Sequence, residues 1–221
     1  MGAFFQRVDL SGTRLFLFDW SGTISDDRRP VFASNQRMRA HYGLPPVESF
    51  EHWLANCSSN AFDHFREAGV VATEREVNEL YRATLTNVVA EGIVPDAYGD
   101  ARTAMTRLSE TNVPIGIVSS HPSEHLRAES ERYGIREHLR VIQGDCADKT
   151  PHLERVCAEF GVRPTEAFYV GDTTYDIRAA KRAGLVSIGI TTGYHAHGQL
   201  GAEEPDALFP SLTALANAVV G

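Results

Sequence analysis

The sequence has few of the residues that build disulfide frameworks, membrane spans or nucleic-acid interfaces. It holds three cysteines, Cys57, Cys146 and Cys157, an odd number without the spacing of a metal motif. This excludes a disulfide scaffold and favours a reducing cytoplasm. Its first ten residues include no long apolar stretch, so neither a signal peptide nor a membrane anchor is expected there. The formal net charge of −8 argues against a nucleic-acid partner.

What the chain does have is a 43% hydrophobic content, enough for a sizeable core, and a regular alternation of short apolar runs with amphipathic stretches. The runs predict buried strands at residues 15–18, 114–118, 140–142, 167–170 and 186–190, with a short edge strand at 207–209. The stretches predict helices near residues 96–111, 122–133, 150–160, 174–183 and 211–219. Strands that alternate with helices indicate an α/β fold with a Rossmann-like, mainly parallel sheet.

Residues 25–92 interrupt this alternation. They show no strand pattern but three or four helical ones, near residues 30–42, 48–55, 60–68 and 73–91. We therefore expect a helical cap domain at 25–92, inserted into a core domain made of 1–24 and 93–221. Because the insert directly follows the first strand, it is expected to act as a lid over Asp19.

Polar and charged residues follow the predicted strands at the point where each strand ends. These residues are Asp19, Ser119, Ser120, Lys149, Asp172 and Asp176. Each taken singly is explained by a helix cap, a turn or solvated surface. In a parallel sheet, however, the carboxyl ends of the strands share one edge, where ligands bind. The ordered set therefore predicts a single site.

Four ordered motifs of this chain resemble those of the haloacid dehalogenase-like hydrolase superfamily. They are Asp19-Trp20-Ser21-Gly22-Thr23, then Ser119, then Lys149, then Gly171-Asp172 with Asp176. The resemblance covers nearly all of the chain, and the position of the helical insert matches the family's helical cap. The segments at 191–194 and 204–207 are similar to the end of phosphoglycolate-phosphatase-like members.

The resemblance implies a Mg²⁺-dependent hydrolase of small phosphorylated metabolites. Asp19 is expected to be the nucleophile, since a covalent aspartyl-phosphate splits a difficult hydrolysis into two steps. Asp19, Asp172 and the Ser21 backbone carbonyl would hold Mg²⁺, which prefers oxygen ligands. Asp176 would hold a metal-bound water or buttress Lys149.

Five residues are expected to bind the substrate phosphate. They are Ser119, Ser120, Lys149, Gly22 and Thr23. Ser119 and Lys149 would also be catalytic, by donating to phosphoryl oxygens whose charge develops in the transition state. Lys149 would in addition keep Asp19 ionised.

Ser21 departs from the pattern of most phosphatases in this family, which carry an aspartate there as general acid and base. Such help is typically worth ~10²–10⁴-fold, so a neutral serine predicts slow hydrolysis, a good leaving group or an acid from elsewhere, His121 being one candidate. The alternatives are a C–P or C–halogen hydrolase and a catalytically weakened, metabolite-binding member.

The first motif also resembles that of phosphonoacetaldehyde hydrolase. That enzyme needs a lysine in its cap, to form a Schiff base with the aldehyde. The only lysines of this chain are Lys149 and Lys181, and both lie outside the predicted cap. Dehalogenation needs no metal, which would leave the Asp172 and Asp176 pair without a purpose.

Overall fold

The computed structural model describes residues 4–56 and 61–221. The chain forms two compact units, one made of Met1–Ser25 with Ala97–Gly221 and the other of Asp26–Asp96. The sequence places these divisions at 24/25 and 92/93. Cys57 and the predicted helix start at residue 60 lie outside the described residues.

The strands and helices are numbered in chain order. The strands are β1 (Phe5–Gln6), β2 (Leu15–Phe18), β3 (Ser25–Asp26), β4 (Asp96–Ala97), β5 (Ile115–Val118), β6 (Leu139–Gln143), β7 (Ala167–Gly171), β8 (Val186–Ile190) and β9 (Ala207–Phe209). The helices are α1 (Arg28–His41), α2 (Phe50–Asn56), α3 (Ala61–Glu67), α4 (Glu74–Ala90), α5 (Ala101–Ser109), α6 (Ser123–Arg132), α7 (Thr150–Glu159), α8 (Thr174–Arg182), α9 (His197–Ala202) and α10 (Leu212–Val220).

Seven of the described strands form one sheet in the order β1-β9-β8-β7-β2-β5-β6. Every neighbouring pair is parallel except β1 with β9, which confirms the predicted α/β, Rossmann-like class. The two neighbours of β2 in the sheet are β5 on one side and β7 on the other, so the chain continues first to one side of β2 and later to the opposite side. The carboxyl end of β2 is therefore a switch point, the place where open α/β sheets bind ligands.

The central strand β2 is buried on both faces, as a parallel strand covered by helices should be. Successive side chains point to opposite faces, and they divide between two core clusters. Phe16 and Phe18 pack on one face against Phe168. Leu15 and Leu17 belong to the cluster on the other face. Because both faces of β2 are packed in this way, the position of Asp19 at the carboxyl end of the strand is fixed.

Two details of the predicted sheet are wrong. Ala207–Phe209 is not an edge strand, because β1 covers its outer side with antiparallel pairing. Residues 25–92 do contain strand structure, since β3 begins at Ser25 and pairs with β4. Both β1 and β3 have only two residues, too few to produce an alternating pattern in the sequence.

The second unit contains α1 to α4, as the helical patterns predict. Its core is formed by Met38, Phe65 and Val77. The helix predicted near residues 73–91 is α4, and its residues Val77, Leu85 and Val88 are buried. A capping box at Thr73 starts this helix. The function of this unit as a lid remains a prediction.

Candidate active site

Asp19 emerges from the carboxyl end of β2 into a tight turn. Its backbone N–H donates to the Val170 carbonyl at 2.8 Å, so the neighbouring strand still holds it, and the residue is only 5% exposed. Ser21 follows in the turn and forms an isolated bridge with Ser25. Gly22 has a φ of 73°, and a Cβ there would lie 2.1 Å from Asp172 Oδ2. Only glycine satisfies both demands.

Lys149 lies between two carboxylates. Its Nζ is 2.9 Å from Asp19 Oδ1 and 2.6 Å from Asp176 Oδ1. The rings of Tyr169 and Tyr175 lie near the same ammonium, at 5.6 and 5.9 Å. Burial alone would lower the pKa of Lys149, but the charges of Asp176 and Asp19 raise it above its ordinary value. The lysine is therefore a fixed positive charge beside Asp19.

Asp176 is held by its own helix. Its Oδ2 accepts the Thr173 backbone N–H at 3.0 Å and the Thr173 hydroxyl at 2.5 Å, which forms the capping box of α8. Its Oδ1 accepts from Lys149 and, at 3.4 Å, from the Tyr169 hydroxyl. Of the two roles that the sequence left open for Asp176, the geometry places it in contact with Lys149.

Asp172 is fully buried and is held by two donors. The Thr23 hydroxyl donates to Oδ1 at 3.1 Å, and the Tyr194 backbone N–H donates to Oδ2 at 2.7 Å. Burial, followed by the charges of Asp176 and Asp19, raises the pKa of Asp172 well above its ordinary value. Gly193 lies so close that a Cβ there would be 2.0 Å from Asp172 Oδ2.

Ser119 directly follows β5 and lies beside Asp19. Its Oγ accepts the His121 backbone N–H at 3.2 Å, and its hydroxyl acts to lower the pKa of Asp19. Burial raises the pKa of Asp19 to about 6, against the opposing effect of Lys149. Ser120, the next residue, is exposed. Asp19, Ser119, Lys149, Asp172 and Asp176 thus lie together at one edge of the sheet, within one unit.

The carboxylates fit a divalent cation. Asp19, Asp172 and Asp176 each offer an oxygen, and these oxygens lie within 4.8 Å of one another. Three buried carboxylates face the single ammonium of Lys149, so an added positive charge would relieve their mutual repulsion. Both Asp176 oxygens are engaged, whereas Asp172 accepts one hydrogen bond per oxygen and has lone pairs left for a metal. Asp172 therefore has more acceptor capacity left for a metal than Asp176 has.

Some contacts in the site were not predicted from the sequence, and two candidate residues make contacts that were not expected. The Thr23 hydroxyl, which was expected to bind the substrate phosphate, donates to Asp172. Tyr169 and the Tyr194 backbone N–H were missed, because neither residue type signals a contact made across the sheet. His121, the candidate substitute acid, has its Nε2 3.4 Å from Glu129 Oε1.

The model of the haloacid dehalogenase-like hydrolases matches residues 16–190 of this chain. The chain belongs to that family. The match includes all four motifs and the whole helical unit, so the expected family and its hydrolase class are confirmed. Within the described residues, no helix combines the length and the hydropathy needed to cross a bilayer.

Individual members of the family resemble the chain over nearly its whole length. A phosphoglycolate phosphatase of Photorhabdus laumondii is 24% identical over 95% of this chain and 94% of its own. One of Pseudomonas putida is 27% identical over 97% and 83%. Among solved structures, a haloacid dehalogenase-like protein of Streptococcus pneumoniae superposes with a TM-score of 0.78 at 16% identity, covering 92% of this chain and 97% of its own. A predicted phosphoglycolate phosphatase of Haemophilus somnus gives 0.73 at 21%, covering 93% and 97%.

Proposed function

We propose that this family member is a Mg²⁺-dependent phosphatase of small phosphorylated metabolites that acts through an aspartyl-phosphate on Asp19. The observation that carries this proposal is the position of Lys149, in contact with Asp19 on one side and Asp176 on the other, with Asp172 close by. The names of the curated relatives support a small phosphorylated substrate. The family as a whole includes other hydrolyses, so the residues of the site must decide the reaction.

In the first step an Asp19 oxygen attacks phosphorus, the new O–P bond forms, and the bond to the substrate oxygen breaks. Lys149 keeps the Asp19 carboxylate ionised, because its positive charge favours the charged form. The Ser119 hydroxyl and the Lys149 ammonium donate to the phosphoryl oxygens, where charge is developing. Mg²⁺, when held by Asp19, Asp172 and the Ser21 carbonyl, supplies further neutralisation of that charge.

In the second step water attacks the aspartyl-phosphate, which releases inorganic phosphate and restores the Asp19 carboxylate. Both steps need a proton transfer, to the leaving alcohol and then from the water. Ser21 occupies the position from which the family's aspartate does this, and a hydroxyl is a poor acid. We infer that this chain favours phosphates whose leaving group needs little protonation, such as acyl and aryl phosphates.

The test of the function is phosphate release from p-nitrophenyl phosphate, with Mg²⁺ or with a chelator. The parent should turn over only with the metal, and Asp19→Asn should fall to background. Asp9→Asn is the matched control, because Asp9 is exposed and bonds to its neighbour Ser11, and this variant should leave the rate unchanged. Turnover that persists in Asp19→Asn would contradict the covalent mechanism. Phosphate release that is unaffected by the chelator would contradict the Mg²⁺ dependence.

The second candidate function, a weakened member that binds phosphorylated metabolites, rests on Ser21. A leaving-group series separates the two functions. A catalyst without a proton donor should show a steep dependence of rate on leaving-group acidity, and Ser21→Asp should raise the rate for alkyl phosphates. A parent that binds phosphate esters but releases no phosphate from any of them would establish the binding function.

The C–P alternative requires a cap lysine that forms a Schiff base with the substrate aldehyde, and neither lysine of the chain meets this requirement. Lys149 is engaged by Asp19 and Asp176, and Lys181 donates to the Glu203 carbonyl at 2.6 Å. Residues 26–96 contain no lysine, and a Schiff base cannot form on arginine. We therefore do not retain that activity.

A further inference from the structure

A second group of side chains that could ligate a metal lies at the start of α6, apart from the three carboxylates of the candidate active site. His121 precedes α6, and His125 and Glu129 lie on that helix. Each offers one ligand atom, and these atoms lie within 4.8 Å of one another. His121 and Glu129 are buried, whereas 24% of the His125 side chain is exposed. Two imidazoles and one carboxylate thus meet at a place that solvent reaches from one side.

The sequence explains why the three converge. His125 and Glu129 are four residues apart on a helix, which puts them on the same face, one turn above the other. His121 stands four residues before His125, where the chain turns into the helix, and its Nε2 lies 3.4 Å from Glu129 Oε1. The rings of His121 and His125 are 5.5 Å apart between centroids, and the His125 Nε2 also lies 3.9 Å from Glu124 Oε1.

The distances suit a small transition ion. Zinc–nitrogen and zinc–oxygen bonds near 2.0–2.2 Å hold tetrahedral ligand atoms ~3.3 Å apart. The His121 and Glu129 atoms already have this separation. The His125 nitrogen lies within 4.8 Å of both atoms, and the partial exposure of His125 leaves its ring room to move closer.

The second oxygen of the Glu129 carboxylate is held by a hydrogen bond, as is common for metal-binding carboxylates. Trp20 Nε1 donates to Glu129 Oε2 at 2.6 Å, which orients the group and leaves Oε1 directed at the histidines. Metal-binding carboxylates are commonly held by such an outer hydrogen bond. The Trp20 ring is itself fixed, since it stacks on Tyr133 at 5.5 Å with an interplanar angle of 7°.

We propose that His121, His125 and Glu129 form a binding site for a divalent transition ion of the zinc class, separate from the carboxylate site at Asp19. Imidazole nitrogens with one carboxylate suit zinc and its neighbours, whereas the oxygen-only set at Asp19 suits Mg²⁺. Water would supply the fourth ligand on the exposed side of His125. The ion would also tie together two turns of the active site, since Trp20 follows Asp19 and the His121 N–H donates to Ser119.

The test is a zinc titration against a chromophoric chelator, in Mg²⁺ at millimolar excess so that the carboxylate site is occupied. The parent should bind one equivalent. His125→Gln should bind at least tenfold more weakly, and so should Glu129→Gln, which keeps an acceptor for Trp20. His138→Gln is the matched control, because His138 also lies near an acid, with its Nε2 4.0 Å from Glu137 Oε1, but is not part of this cluster. It should bind as the parent does.

Cobalt gives an independent readout. Co²⁺ in a four-coordinate site with imidazole ligands should show visible absorption that disappears in His125→Gln, and thermal melts should show that this variant is folded. A parent that takes no zinc from the chelator would overturn the proposal. Zinc that stays bound with parent affinity in His125→Gln would also overturn it, since the ion would then lie on thiols or on other histidines.

Discussion

Replacement of Gly193 by alanine tests whether the position of Asp172 controls activity. The added Cβ would lie 2.0 Å from Asp172 Oδ2 and 2.5 Å from the Gly22 carbonyl oxygen, whereas real Cβ contacts are essentially never shorter than 3.0 Å. Something must therefore move by about 1 Å or more. Gly193 does not have a positive φ, so alanine brings no backbone strain of its own and the effect is purely steric.

The expected size of the effect follows from this displacement. A misplacement of about 1 Å in a catalytic group can cost ~10²-fold in rate. Overpacking of a filled site typically costs ~1–3 kcal/mol of stability, and each kcal/mol lowers the Tm of a chain this long by roughly 2–4 °C. We therefore expect Gly193→Ala to stay folded, to lose about two orders of magnitude in turnover, and to need more Mg²⁺ for half-maximal rate.

The matched control is Gly198→Ala. Gly198 lies in α9, and a Cβ there meets nothing within 4 Å. Alanine favours helices over glycine by up to ~1 kcal/mol, so this variant should melt at or slightly above the parent temperature with parent activity. The assay is p-nitrophenyl phosphate turnover over a Mg²⁺ series, with a thermal melt of each variant. Parent turnover and Mg²⁺ dependence in Gly193→Ala would refute the role assigned to Asp172.

Two further predictions use pairs of similar residues. Thr173 and Thr73 each form a capping box, so alanine at either should cost ~1 kcal/mol in thermal or denaturant unfolding. Only Thr173→Ala should also reduce turnover, because Thr173 holds Asp176, and equal turnover in both variants would contradict this. Burial raises the pKa of Cys146 and of Cys157 to about 11. In a Cys57→Ser background, neither thiol should react with Ellman's reagent at pH 8 before the protein unfolds, and rapid labelling of the folded chain would refute the burial.

The fold was largely predictable, because its strands are long enough to show a pattern. The apolar run before Asp19 correctly predicted β2. The alternation after residue 100 correctly predicted β5 to β8 and the helices between them. The two-residue strands were not predictable, since a pair such as Phe5–Gln6 has no periodicity. β1 forms only because Ala207 and Leu208 offer it a partner, which is information that the local sequence does not carry.

The polar residues at the strand ends were predictable for a similar reason. Position at a strand end is a local property, and parallel pairing brings the ends together. The partners of those residues are set by tertiary packing instead. Asp172 depends on the backbone N–H of Tyr194, and Lys149 lies near the ring of Tyr169. A backbone donor is the same in every residue type, so no sequence signal marks Tyr194.

The central claim is that a phosphoryl group is transferred to Asp19 during turnover. The direct measurement is to quench the parent during turnover of an aryl phosphate, reduce acyl phosphates with borohydride and analyse the peptides by mass spectrometry. Reduction of an aspartyl-phosphate yields homoserine. The account predicts homoserine at position 19, with substrate and Mg²⁺ both required. Turnover with an unmodified Asp19, or with the label on another residue, would contradict it.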